Sequence, residues 1–483
     1  MGYFVTDNAS NNDTAVDIVV DHFYPKKTHK WRMSRRLRCL GHVINLAAKA
    51  FLYGTEFDAF EKDIESAKEH SDLLRELTLW RKRGPIGKLH NIVIFICRTP
   101  QRRVRFEDIK LFTGTEGEDF GHLRLIIDNA TRWNSLYSMV DRALNLRERI
   151  DRFCYENAGE IHGNSTRKKT GKDADAQYLL KNDALTNDDW QALAEVKAIL
   201  KKFYVLTKRA EGSKLTSDRG VLSDYITTLN DLLDHVRSNR DDLNTRADDP
   251  DLTSDAVSHL RACIVNCWTK LDEYFAKIDE TPAHYASVVT NPKMKWAYFE
   301  YVWKDAILWK DARAPNQWLP RGKRALEYIW GDYKDLPDPG PTVGSKRARS
   351  PSPDDFERSI DMTLYLDDVE DQDELEAWIK APPFRLDRGV SLPEYWVGQL
   401  EQRPRLARMA LDMASIPAMS SDCERVFSQC KLLITGQRNR LKADIIEATQ
   451  CLRAWLVYER KAAGRWKGTG NWKTPMELFN SGE

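Results

Sequence analysis

The chain has 483 residues, of which 42% are hydrophobic and 30% charged, so it can bury a sizeable core and is not a wholly disordered polymer. Lys and Arg total 74 against 73 Asp and Glu, a formal charge of +1, so any surface for nucleic acid must come from local segregation of charge. The longest apolar runs, such as Ile92–Cys97, fall far short of the ~20 residues that span a bilayer, and Met1-Gly2-Tyr3-Phe4 shows no secretory leader pattern. Eight cysteines without a CxxC pair point to reduced thiols in a cytosolic or nuclear protein.

In chain order, Gly2-Tyr3-Phe4-Val5-Thr6 is aromatic and β-branched and stops at the turn-forming run Asp7–Asn12, which predicts a strand. A helix is expected from Asp13 until Pro25 ends it, then helices over Arg38–Tyr53 and Phe57–Trp80. Leu123-Arg124-Leu125-Ile126-Ile127 reads as a second, buried strand ending at Asp128, and two strands separated by helices suggest a parallel α/β layer. From Asn134 the period becomes helical: Trp190, Leu193, Val196, Leu200 and Phe203 recur at helical spacing after a cap at Asn187, with further helices over Val221–Val236 and His259–Ile278. The stretch Asp335–Asp355, with five prolines, reads as a disordered linker, and its Lys346-Arg347-Ala348-Arg349 cluster suits either a nuclear-import signal or a solvated charge run. Pro393–Trp455 is again helical.

Asp7 stands at the carboxyl end of the first strand, where open α/β sheets gather functional groups, and its carboxylate suits Mg²⁺; Asp-Asn is equally a common turn pair. Ser421 with Glu424 three residues on is a capping box, or Glu424 completes a metal site with Asp7. Cys39 and His42 have no second pair at zinc-finger spacing and read best as a buried thiol and a hydrogen-bonded imidazole on one helix. Gly84–Leu89 lacks the glycine spacing and the hydroxyl residue of a P-loop, so no nucleotide cofactor is expected. Arg81, Lys82, Arg83, Lys88, Arg102 and Arg103 form basic patches that could grip phosphates, flanked by Trp80 and Phe106, which suit base stacking or core packing.

Taken together and in order, these segments resemble the hAT family of DNA transposases in its fungal form. Phe4–Asn12 is similar to the second catalytic-carboxylate strand, Cys39–Leu46 to the CxxH segment, and Gly84–Asn91 to a connecting stretch. Thr131-Arg132-Trp133-Asn134-Ser135 resembles the motif whose Trp opens a helical insertion, and Pro417–Leu441 the C-terminal catalytic and dimerisation signature. The resemblance implies an α/β plus all-α fold, mainly helical overall, with a partial RNase H-like core interrupted by a large all-helical insertion. The division would be a partial core at 1–133, the insertion at 134–334, the linker at 335–356, and a closing helix with the dimerisation region at 357–483.

By the same resemblance Asp7 and Glu424 are the second and third catalytic carboxylates, holding Mg²⁺ or Mn²⁺ for DNA strand cleavage and transfer, with Cys39 and His42 supporting them. Arg132 and Trp133 would contact DNA at the transposon end, and Trp396, Leu400, Ile445, Ala448, Leu452 and Trp455 would form a dimer or larger homo-oligomer. The expected partners are thus DNA and a second copy, with no membrane, in the nucleus. The family's first carboxylate, on an upstream strand, and its zinc-finger module have no counterpart here, so the expectation is a truncated, catalytically incomplete transposase. The alternative is a dimerising remnant that contacts DNA without cleaving it.

Overall fold

The aromatic, β-branched run at the start of the chain forms a strand, β1 (Phe4–Thr6), but its partner is β2 (Arg36–Arg38), a segment the sequence reading had placed outside any strand. The pairing is parallel, Phe4 with Arg36, Val5 with Leu37 and Thr6 with Arg38. Parallel strands need a crossover, here helices α1 (Ser10–Phe23) and α2 (His29–Met33). Arg-Leu-Arg carries a single apolar residue, so no hydrophobic pattern marks β2; Leu37 is nonetheless buried, and Arg36 is buried against Asp13. The computed structural model describes residues 2–54, 57–109, 123–128, 133–162, 182–211, 220–245, 254–304, 315–337, 373–434 and 441–462.

The expected strand Leu123–Ile127 is corrected. It is extended but joins no ladder among the described residues; Leu123 and Leu125 lie on a core while Ile127 is exposed. A short apolar run can be partly buried against a core without a neighbouring strand, which is why the pattern misleads. Side chains from elsewhere in the chain hold it: Arg142 donates to the Arg124 carbonyl at 2.6 Å, and His90 Nδ1 lies 2.6 Å from Asp128 Oδ1.

Helix α3 (Leu40–Tyr53) begins two residues later than expected because Arg36–Arg38 is taken by β2. The expected helix Phe57–Trp80 is two, α4 (Phe57–Glu69) and α5 (Leu73–Arg81). Ser71 stands at positive φ and Asp72 caps the new start by accepting from the Arg75 N–H at 3.0 Å. Next come α6 (Pro85–Cys97) and α7 (Pro100–Asp108), both with proline in the first turn where no N–H is needed. Helices α8 (Trp133–Asn145), α9 (Arg147–His162), α10 (Asn187–Ala210), α11 (Ser223–Thr245), α12 (Ser254–Ala276), α13 (Ala283–Val289), α14 (Ala297–Lys304) and α15 (Pro315–Trp330) make up the region read as an insertion. The cap of α10 is Thr186 rather than Asn187, in a capping box with Asp189. After residues outside the description, which include Lys346–Arg349, come α16 (Glu374–Lys380), α17 (Leu392–Gly398), α18 (Pro404–Ser415), α19 (Ser421–Leu433) and α20 (Ala443–Ala462).

The protein is mainly helical, and it divides at Met419/Ser420 into two units. In the first, one core runs from Leu37 and the buried face of α3 through Trp133, Phe203, Leu229, Leu271 and Val288 to Trp330, Trp378, Trp396 and Met409. The stretches read as partial core, insertion and C-terminal region therefore share one apolar interior. Indole N–H groups fasten the last of these: Trp378 Nε1 donates to the Val289 carbonyl at 2.8 Å and Trp396 Nε1 to the Thr290 carbonyl at 3.0 Å. A second core joins α4–α7 to α8–α10 through Phe60, Trp80, Leu89, Leu136 and Leu193.

The glycine stretch Gly84–Leu89 is a packing device. A Cβ on Gly87 would stand 1.7 Å from the Trp80 carbonyl oxygen, so α6 lies directly on the backbone of α5. Gly87→Ala should therefore destabilise the first unit by about 1–3 kcal/mol, read as a lower urea midpoint, whereas an unchanged midpoint would mean that α5 and α6 are not so closely packed in solution.

Candidate functional site

At the carboxyl ends of the β1–β2 pair the chain leaves β1 through a tight turn. Asp7 Oδ1 accepts from the Ala9 N–H at 3.0 Å and from Asn12 Nδ2 at 2.6 Å, shaping the entry to α1, and its side chain is exposed. Asp7 thus fills the turn role of one sequence reading while its carboxylate stays exposed. Arg36 and Arg38, two apart on β2, bring their guanidinium groups to this turn. Arg36 donates to the Asp7 carbonyl at 2.9 Å and pairs with Asp13; Arg38 donates to Asn8 Oδ1 at 3.2 Å and to Glu280 Oε2 at 3.1 Å. Burial first, and then the positive charge of Arg38, push the pKa of Arg36 below its usual value, while Asp13, Glu280 and Asp7 oppose the shift.

Sequence reasoning singled out neither arginine nor Glu280. Arg35-Arg36-Leu37-Arg38 reads only as a charge run before Cys39, and Glu280, on the short 3-10 turn Lys277–Glu280, is 242 positions from Arg38. Cys39 is buried as the N-cap residue of α3, and His42 lies half-buried on the same helix. Glu424 is exposed on α19, in the second unit. The expected Ser421 cap is displaced by one residue: Ser420 is the N-cap, and its Oγ lies 3.4 Å from Glu424 Oε1. Among the described residues no three His, Cys, Asp or Glu side chains gather where a metal ion could sit; Asp7 by itself would give a divalent cation one exposed carboxylate.

The expected DNA-binding cations are mostly engaged inside the protein. Arg81 makes a two-pronged pair with the fully buried Asp183, at 2.8 and 2.7 Å, and Asn91 donates to the same carboxylate. Lys88 binds Asp189 at 2.8 Å; hydrogen bonds from Lys88 and Thr186 outweigh burial and hold the Asp189 carboxyl below its ordinary pKa. Arg83 lies over the Phe60 ring and donates to the Tyr53 carbonyl, and Arg102 lies 3.7 Å from the Phe95 ring centroid. Lys82 and Arg103 are exposed, and Arg132 lies outside the described residues. Trp133 opens α8 as expected, but it is 4% exposed and packs edge-on against Phe203 and Tyr137, so its face is not presented to a base. Trp80 and Phe106 are buried too; Trp80 stacks on His90 at 3.7 Å.

The expected dimerisation residues separate into two sets. Trp396 is 0% exposed and Leu400 packs against the first core, so both serve their own unit. Ile445, Ala448, Leu452 and Trp455 all lie exposed on α20.

Residues 374–456 match the hAT family C-terminal dimerisation region, and residues 37–199 match the ZBED1 RNase-like helical domain, which here runs across position 133, where the sequence reading began its insertion. A Talaromyces stipitatus protein named "Putative transcriptional regulator tpeD" is 21% identical, the alignment covering 92% of this chain and 44% of that protein. "Putative AC transposase" of Zea mays is 21% identical over 95% of this chain and 49% of its own length. Zinc finger BED domain-containing protein RICESLEEPER 4 of Oryza sativa is 21% identical over 87% of this chain and 62% of its own. The chain thus spans about half the length of these curated relatives. It is a transposase-like protein that carries a hAT dimerisation region and a ZBED1 RNase-like helical domain.

The internal role of Arg81 has a direct consequence. Asp183→Ala would leave a guanidinium group without its buried partner and should cost about 3–5 kcal/mol, whereas Lys82→Ala, at an exposed position, should stay within about 0.5 kcal/mol. Urea unfolding of the two variants checks this; equal effects would remove the structural assignment of Arg81.

Proposed function

We propose that this protein binds DNA as a homodimer or larger homo-oligomer of hAT transposase type, in the nucleus. The observation that carries the reading is the apolar surface of the second unit. Phe427 on α19 is 71% exposed and Trp455 on α20 66%, alongside Val426, Ile445 and Leu452. Large apolar side chains left in water within a matched dimerisation region are what a second copy would cover. The parallel β1–β2 pair with its helical crossover, and the exposed carboxylate at its end, support reading the start of the chain as part of an RNase H-like core.

Asp7 and Glu424 are the candidate ligands for Mg²⁺ or Mn²⁺, the ions whose charge would stabilise the leaving oxygen of a phosphodiester. Binding to DNA as an assembled homo-oligomer, without cleavage, is the reading proposed for this chain. The name of the Talaromyces relative, a transcriptional regulator, agrees with such a role.

Light scattering on the whole chain at micromolar concentration should give at least a dimer mass, and Leu452→Asp with Trp455→Asp should lower it to the monomer; a monomeric wild-type chain removes the proposal. In gel-shift and nicking assays with Mg²⁺ or Mn²⁺, duplex DNA should be retarded and left intact. Nicking that disappears in both Asp7→Asn and Glu424→Gln would instead establish the enzyme.

A further inference from the structure

Among the cations at the carboxyl ends of β1 and β2, Arg38 differs from its neighbour in what holds it. Arg36 is 3% exposed at its side chain, and its two terminal nitrogens are held by Asp13 and by the carbonyls of the Asp7 turn, so it is part of the turn's framework. Arg38 is 19% exposed, and its charged partner, Glu280, is 56% exposed. An ion pair whose carboxylate stands in water contributes little net stability, so separating it costs little. The guanidinium fork that now meets the Asn8 amide oxygen and one carboxylate oxygen has the spacing that suits two phosphate oxygens. Its position is fixed by the ladder: Arg38 lies in register with Thr6, the Cys39 N–H donates to the Thr6 carbonyl at 2.8 Å, and Asp7 follows Thr6 directly.

We propose that Arg38 is a phosphate-contacting residue at the mouth of the Asp7 turn, and that the Glu280 carboxylate occupies the phosphate position until a nucleic-acid backbone displaces it. The assignment rests on the DNA-binding reading above but has its own signature. Glu280 comes from the helical region and Arg38 from the strand, so a backbone phosphate that replaces Glu280 is drawn to a place beside Asp7. Arg81 and Lys88, which the sequence favoured for this task, are paired to acids far less exposed than Glu280.

Two probes test it on the full chain: duplex DNA of mixed sequence over a series of salt concentrations, and inorganic pyrophosphate followed by thermal shift. Glu280→Gln, an exposed substitution that leaves the fold intact, should tighten duplex binding about two- to fivefold and enlarge the pyrophosphate-induced rise in melting temperature. Arg38→Gln should weaken duplex binding about tenfold or more, lower the salt slope by about one, and abolish the pyrophosphate response. Duplex binding and pyrophosphate shifts that are the same in wild type and Glu280→Gln overturn the assignment of Arg38 and leave DNA binding standing. An Arg38-dependent pyrophosphate response without duplex binding keeps the anion site and removes the DNA reading.

Discussion

The first turn of helix α3 is where the first unit is tied together. Within a few residues the Cys39 N–H donates to the Thr6 carbonyl of β1 and the Leu40 N–H to the Ala418 carbonyl at 3.0 Å, while Gly41 leaves the space that Met419 enters. Beyond that turn the helix is apolar around most of its circumference: Leu40, Val43, Ile44, Ala47, Ala48 and Phe51 are all buried. A helix with so little polar face must be enclosed, and it is enclosed by α8, α10 and α12, elements drawn from distant parts of the sequence. The strand pair, the helical region and the segment 373–419 are consequently parts of one interior.

That constraint shapes the chemistry at the strand ends. Enclosing α3 brings the turn after α12 against β2, where Thr281 Oγ1 donates to the Arg36 carbonyl at 2.9 Å and Glu280 meets Arg38. The polar group around Asp7 is therefore assembled by packing between a short strand and a helical region 242 positions later. It is rich in arginine as well as acid. A carboxylate with guanidinium groups beside it presents both signs of charge at one turn.

The second unit obeys a different rule. Its two described helices leave Phe427, Ile445, Leu452 and Trp455 in water, whereas in the first unit comparable residues, Trp80, Trp190 and Trp396, are fully enclosed. A pair of helices cannot bury two apolar faces against each other and still hide the remainder, which gives the matched dimerisation region its physical basis.

Several features were legible from the residues alone: β1 and its end at Asp7, the helical character from Asn134 onward, the helix opened by Trp133, the exposed α20 stripe and the order of motifs that marks the hAT family. These are local signals, carried by turn residues, periodicity or a contiguous motif. Tertiary structure decided the rest. It gave β1 the partner Arg36–Arg38, left Leu123–Ile127 without a ladder among the described residues, committed Arg81 to the buried Asp183 and enclosed Trp133 and Trp396. The reason is that a charged or aromatic side chain has the same identity inside and outside a fold. Whether it faces DNA, a second chain or a buried counter-charge depends on partners hundreds of positions away, and no spacing within the sequence records them.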